Sequence, residues 1–164
     1  MSPRAASLGA LLRLNTHLLL NCFDQVTDER AARRVVPQVN SMAFLAAHLI
    51  DTRHELLKIL GGSGENPVRP HLANARSIDD VVTLPTLNEL LSAWRQVASA
   101  LEDRLASIDD AALDAPSARR FPGGDPSTLG SLAFLVQHDS YHIGQLAMLR
   151  RVHGLPAMRY SIAK

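Results

Sequence analysis

The sequence predicts an all-α four-helix bundle, on three observations. Four long segments repeat apolar residues at i, i+3, i+4 spacing, connections rich in Pro, Gly and Asp separate them, and no useful stretch alternates with the period of a β-strand. At 164 residues with 46% apolar content, the chain suits one domain over 1–164 with a core of its own.

The first segment runs from about Ser7 to Val26, with Leu8, Leu11, Leu12, Leu19, Cys22, Phe23 and Val26 on one buried face. Leu14, Leu18 and Leu20 widen that face enough for a second neighbour or a partner subunit. Thr27 can cap a short turn over Asp28 to Arg33. In the second segment, about Asn40 to Leu60, Asn40 or Ser41 supplies the capping oxygen and Gly61-Gly62 the stop. Its inward stripe reads Ser41, Phe44, Leu45, His48, Thr52, Glu55 and Ile59. Polar groups at the centre of such a stripe are not what a plain core wants.

The third segment, about Leu87 to Ile108, opens with a capping box at Thr86 and Glu89, and Leu87, Leu90, Leu91, Trp94, Ala98, Leu101 and Leu105 form its apolar face. For the fourth, about Pro126 to His153, Asp125 is the expected cap, Pro126 fits the first helical position, and Gly154 with Pro156 ends the helix. The connection from Gly61 to Pro85 is long for a helical hairpin. At about 3.3 Å per extended residue it can return along a whole helix, which lets the second and third helices lie parallel.

Composition removes several function classes. A net charge of +1 without a Lys/Arg block argues against a nucleic-acid partner. No apolar run reaches membrane-spanning length, since Leu8 to Phe23 is interrupted by Arg13, Asn15 and His17, and Arg13 also spoils a signal-peptide reading. The lone Cys22 excludes a disulfide framework and fits a reducing cytoplasm. Seven His remain as the unusual feature.

His138 and His142 lie one turn apart on the fourth helix, so both imidazoles can face one metal ion. Extending that face picks up Ser131, Phe134, Gln145, Leu149 and Val152, which reads as the inward side. The pair alone is also compatible with two core histidines bonded to backbone or water, the lesser reading. His48, at the centre of the second helix's stripe, tips the reading: if the two helices are neighbours, three imidazoles converge at mid-bundle. Three nitrogen ligands leave coordination positions open, the arrangement of a catalytic site. Of the others, His17 and His54 read as surface residues, His71 lies in the long connection, and a charged His153 would favour the fourth helix's dipole.

Around the three histidines, Asp51 and Gln145 are placed to orient ligands or line a pocket, and Glu55 is too far along the axis to coordinate. Phe44, Trp94 and Leu149 are candidates for an apolar pocket wall, and Asp51 and Tyr141 are bare candidates for a general base. No protein nucleophile is evident, because Cys22 has no His at helical spacing and no Ser sits in a recognisable elbow.

These residues carry a resemblance. Asn40-Ser41-Met42-Ala43-Phe44-Leu45-Ala46-Ala47-His48-Leu49 resembles the second-helix signature of the DinB/YfiT-like proteins. His138-Asp139-Ser140-Tyr141-His142-Ile143-Gly144-Gln145-Leu146, followed by Leu149-Arg150-Arg151, is similar to their last-helix signature. The likeness extends over nearly the whole chain. It implies an up-down-down-up bundle, a divalent metal on His48, His138 and His142, and a homodimer. Characterised relatives include thiol S-transferases and a mycothiol-dependent maleylpyruvate isomerase.

The resulting expectation is a metal-dependent, thiol-transferase-type enzyme acting on a small-molecule electrophile, with a low-molecular-weight thiol as cosubstrate. Three imidazoles suit zinc or nickel, and iron, manganese or copper are also compatible. Two alternatives stay open: a metal-dependent hydrolase, and a non-catalytic metal- or ligand-binding stress-response protein.

Overall fold

Each long helix begins at a side chain that satisfies its free backbone N–H groups. In the computed structural model, which describes residues 2–75 and 77–161, α1 spans Pro3–Cys22, α2 Asp28–Ala32, α3 Met42–Ile59, α4 Arg69–Leu72, α5 Leu87–Ser107, α6 Asp110–Asp114 and α7 Thr128–Val152. Ser41 caps α3 by accepting from the Phe44 N–H at 3.2 Å, and the Thr86/Glu89 capping box opens α5 as the sequence predicts. Gly61 and Gly154, with φ of 77° and 78°, provide the left-handed turns after α3 and α7. Among the described residues the only β-type pairing is one isolated bridge, Pro116 to Ser127, and no helix is long and apolar enough to cross a membrane.

Two helix starts differ from expectation. Helix α1 begins at Pro3, with Ser2 accepting from the Arg4 N–H at 3.1 Å, because Pro is preorganised for a first helical turn. Helix α7 is capped by Ser127 rather than Asp125, and the Asp125 carboxylate instead accepts from the Ser127 N–H at 2.9 Å. Asp125 therefore shapes the turn before the helix.

The four long helices run in two directions. Leu12, Leu56, Leu105 and Leu132 meet in the core at one end of the bundle, and Leu19, Leu45, Leu90 and Leu146 at the other. Hence α1 and α7 point one way, and α3 and α5 the opposite way. Around the bundle the order is α1, α7, α3, α5, so α3 lies beside α7, and α3 and α5 are parallel neighbours. The broad apolar face of α1 is largely absorbed here: Leu18 and Leu19 are buried, and Leu14 and Leu20 pack against the core from its edge.

Between the two apolar clusters lies a buried ion pair. Arg53 on α3 and Asp139 on α7 are each only 2% exposed, with Arg53 Nε donating to Asp139 Oδ2 at 2.8 Å. Arg53 also donates to Thr16 Oγ1 at 2.8 Å and to the Leu12 carbonyl at 3.2 Å, both on α1. Its guanidinium lies 3.5 Å from the ring centroid of Trp94 on α5.

The stripes read as inward on α3 and α7 are buried at Ser41, Leu45, Ser131 and Leu149, but their other members form rims. Phe44, His48, Thr52 and Glu55 are half-buried, as are Phe134, His138, His142 and Gln145, and Val152 is exposed. The fully buried face of α3 is rotated around the helix to Leu45, Leu49, Ile50, Arg53 and Leu56. The polar rims of two neighbouring helices thus face one another at the edge of the α3–α7 contact, midway along the bundle, rather than in its core.

Removing one partner of a buried ion pair leaves the other charge uncompensated. Asp139→Asn is expected to lower unfolding free energy by roughly 3–5 kcal/mol in urea melts. The double change Arg53→Met/Asp139→Leu should recover most of that loss, because apolar groups of similar volume leave no charge stranded.

Candidate metal centre

His48 projects from α3 toward α7, where His138 and His142 sit one turn apart. His138 Nε2 lies 3.1 Å from Nε2 of His48 and 3.1 Å from Nε2 of His142. Ligand-capable atoms of all three residues fall within 4.8 Å of one another. Phe44 stacks parallel to the His48 ring at 6.3 Å between centroids, and Phe134 flanks His138 at the same distance. These rings restrict the rotation of two imidazoles without competing for their nitrogens.

Burial, with a further contribution from the His142 charge, pushes the pKa of His48 and of His138 down to about 4. Both are neutral at pH 7. Three imidazoles meeting through Nε2 cannot all be satisfied by one another: the Nε2 of His138 carries either one proton or one lone pair, so it can complete only one of its two contacts. A divalent cation, accepting all three lone pairs, resolves the conflict. The donor set therefore fits a metal ion, as three His ligands with open positions.

The Gln145 amide oxygen accepts from Nδ1–H of His142 at 2.7 Å, so the proton resides on Nδ1 and Nε2 keeps its lone pair for the cluster. Gln145 Nε2 donates in turn to the Tyr141 hydroxyl at 3.2 Å. Tyr141 is 57% exposed and packs edge-on against His142 at 5.0 Å, so it reaches the site through Gln145 and has no direct bond to the His cluster. Nδ1 of His138 has no partner among the described residues.

Asp51 makes no hydrogen bond to the clustered histidines among the described residues, and only its charge reaches His48. Its carboxylate accepts from Asn66 Nδ2 at 2.7 Å and Arg69 NH1 at 3.3 Å, which ties the long connection to the rim of α3. That tie closes one side of a cavity of about 620 Å³ lined by His48, His142, Phe44, Asp51, Arg69 and Leu72, among others. Asn66 and Arg69 were not legible in the sequence, since nothing local marks a connection residue that folds back onto a helix.

Several sequence readings are corrected. Trp94 is fully buried on α5, under the Arg53 guanidinium, with Nε1–H donating to the Thr16 carbonyl at 3.2 Å; it lines no part of the metal-site cavity. Leu149 likewise belongs to the core. His54 is buried rather than on the surface, and burial lowers its pKa. His17 is half-buried. His153 is buried too, its Nδ1 accepting from Arg33 at 3.0 Å, and burial plus the charges of Arg33 and Arg30 hold its pKa down, which opposes the cation expected at the end of α7. His71 donates from Nδ1 to the Thr83 carbonyl at 3.0 Å and staples the connection to itself.

The sequence profile of the DinB superfamily matches residues 11–146, from the first turns of α1 past both α7 histidines. The chain belongs to the DinB superfamily. Among solved structures, a DinB-like protein from Bacillus cereus superposes with a TM-score of 0.67 at 21% identity, over 88% of this chain and 89% of that one. A conserved protein from Enterococcus faecalis superposes with a TM-score of 0.73 at 12% identity, over 93% and 97%. At these identities the two structures establish the shared fold. No curated protein matches the chain. In this DinB superfamily member the matched region contains all three clustered histidines as well as Arg53 and Asp139.

The depressed histidine pKa values set a pH dependence. His48 and His138 bind protons more readily in the unfolded chain, near their ordinary 6.5, than in the folded one, near 4. Their contribution to stability is complete above about pH 6.5 and is lost as pH falls toward 4. Chelator-treated protein should lose up to roughly 3 kcal/mol per histidine across that window, read by urea melts at successive pH values. His48→Gln should flatten the decline relative to wild type.

Proposed function

We propose that the protein is a divalent-metal-dependent transferase that joins a borrowed low-molecular-weight thiol to a small electrophile. The observation that carries the reading is the cluster of His48, His138 and His142 at the mouth of a cavity of about 620 Å³, where three imidazole nitrogens converge.

The chain's own thiol is unsuited to this role. Cys22 is fully buried, its Sγ directed to the Ile143 carbonyl at 3.9 Å, and burial pushes its pKa up to about 12 against the opposing charge of Arg150. The reacting sulfur therefore comes from outside, which suits the reducing cytoplasm that a single unpaired Cys also suits.

A divalent cation at the three imidazoles would lower the pKa of a bound thiol, or of water, enough to deprotonate it near neutral pH. The protein's part is positional. His48, His138 and His142 offer imidazole lone pairs, and Gln145 keeps the His142 proton on Nδ1. Phe44 and Leu72 provide an apolar wall for the electrophile, and Asp51 with Asn66 and Arg69 holds the connection over the site, which limits water. The thiol proton leaves to solvent. Sulfur then bonds to the electrophilic carbon as the leaving group departs with its electron pair.

Purified protein is expected to turn over thiol-reactive electrophiles only when a low-molecular-weight thiol is added, with chelation or His138→Ala abolishing the rate above background. Chromatographic detection of the S-conjugate is the measurement. Turnover of an ester or amide without thiol would replace this reading with hydrolysis, and absence of turnover in metal-replete protein across a panel of thiols would leave a ligand-binding role.

A further inference from the structure

The described residues contain two buried arginines, and they are treated differently. Arg53 has Asp139 as counterion. Arg150 on α7, 3% exposed, has none: Nε donates to the Pro156 carbonyl at 2.7 Å, and NH1 donates to the carbonyls of Cys22, at 3.2 Å, and Asp24. Carbonyl dipoles satisfy those N–H groups but leave the unit charge uncompensated, which is costly in a desolvated position. The NH2 amine makes no hydrogen bond to the protein among the described residues and keeps solvent access.

Beside Arg150, at the bundle end where α1 finishes, lies a cavity of about 690 Å³ separate from the histidine cluster. Two more arginines line it, Arg95 from α5 and Arg159 from the segment after α7. Neither has a carboxylate partner among the described residues, and Asp24, the single acidic residue among the described residues of the wall, forms no ion pair with any of the three. The Asn21 side chain donates to the carbonyls of Arg159, at 2.7 Å, and Ser161, at 3.2 Å, which holds the segment bearing Arg159 against the cavity wall. The remaining wall includes Leu20, Phe23 and Leu91.

We propose that this cavity binds a small organic anion carrying two or more oxyanion groups, phosphate or carboxylate, with the charged end on Arg95, Arg150 and Arg159. Guanidinium groups donate paired N–H bonds that match both kinds of oxyanion. The cavity is too large for a single inorganic ion, and its apolar wall supplies a surface for a carbon skeleton. Arg150 plays two parts: its Nε and NH1 hold the end of α1 to the chain after α7, and its NH2 faces the ligand.

The test is calorimetric titration of the protein as purified with pyrophosphate and, separately, with tricarballylate, at fixed ionic strength. Saturable binding of at least one is expected, and the preferred probe distinguishes a phosphorylated ligand from a polycarboxylate. Arg95→Gln/Arg159→Gln alters two exposed side chains and should weaken that binding at least tenfold, with melting temperature and metal content unchanged. Absence of saturable binding by both probes overturns the proposal. Undiminished binding in the double variant also overturns it, since the anion would then sit elsewhere, as at the histidine cluster.

Discussion

All four long helices meet at Arg53. It stands on α3, pairs with Asp139 of α7, donates to Thr16 and to the Leu12 carbonyl of α1, and lies over Trp94 of α5, whose indole N–H returns to the Thr16 carbonyl. Apolar contacts above and below it are tolerant of sliding, because leucines on facing helices can exchange neighbours at modest cost. A buried charge with one carboxylate and two fixed acceptors is not tolerant. Asp139 follows His138 directly, and Arg53 lies five residues after His48, so the pair sets the axial position of α3 against α7 close to the histidines. A slip of one helical turn, about 5.4 Å, would separate imidazole nitrogens that now lie 3.1 Å apart.

With the register held from within, the rims of α3 and α7 are free to be polar. Half-burial suits what the three histidines are asked to do. Enough water is excluded to hold His48 and His138 neutral, with pKa values near 4, and an open side remains toward the cavity. Cys22 shows the opposite extreme: full burial raises its thiol to about 12 and makes it inert. Desolvation thus prepares imidazole as a ligand and disables the thiol, because it favours the neutral form of each.

Much of this arrangement was legible in the sequence. The Thr86–Glu89 box and Gly61 and Gly154 marked helix ends by local chemistry, and the His138–His142 spacing with a mid-helix His48 marked the cluster. What periodicity resolved poorly was rotation about the helix axis. A rim and a core face differ by less than the 100° between successive residues, so Phe44, His48 and Glu55 read as inward although they lie at the edge. Trp94 read as a pocket wall because an aromatic residue at helical spacing looks alike toward a cavity or a core. Arg53 escaped notice for a different reason. A charged residue on a helix defaults to solvent, and what buries this one is Asp139, 86 residues away on another helix, a pairing that no local pattern encodes. His54 and His153 are buried against tertiary neighbours in the same manner.

X-ray absorption at the metal edge of tag-free purified protein tests most directly whether this register assembles one metal centre. The account predicts three imidazole nitrogens at about 2.0–2.1 Å with one or more lighter ligands completing the shell, and loss of one imidazole in His48→Gln. A metal bound by oxygen alone, or a first shell unchanged by His48→Gln, would contradict it.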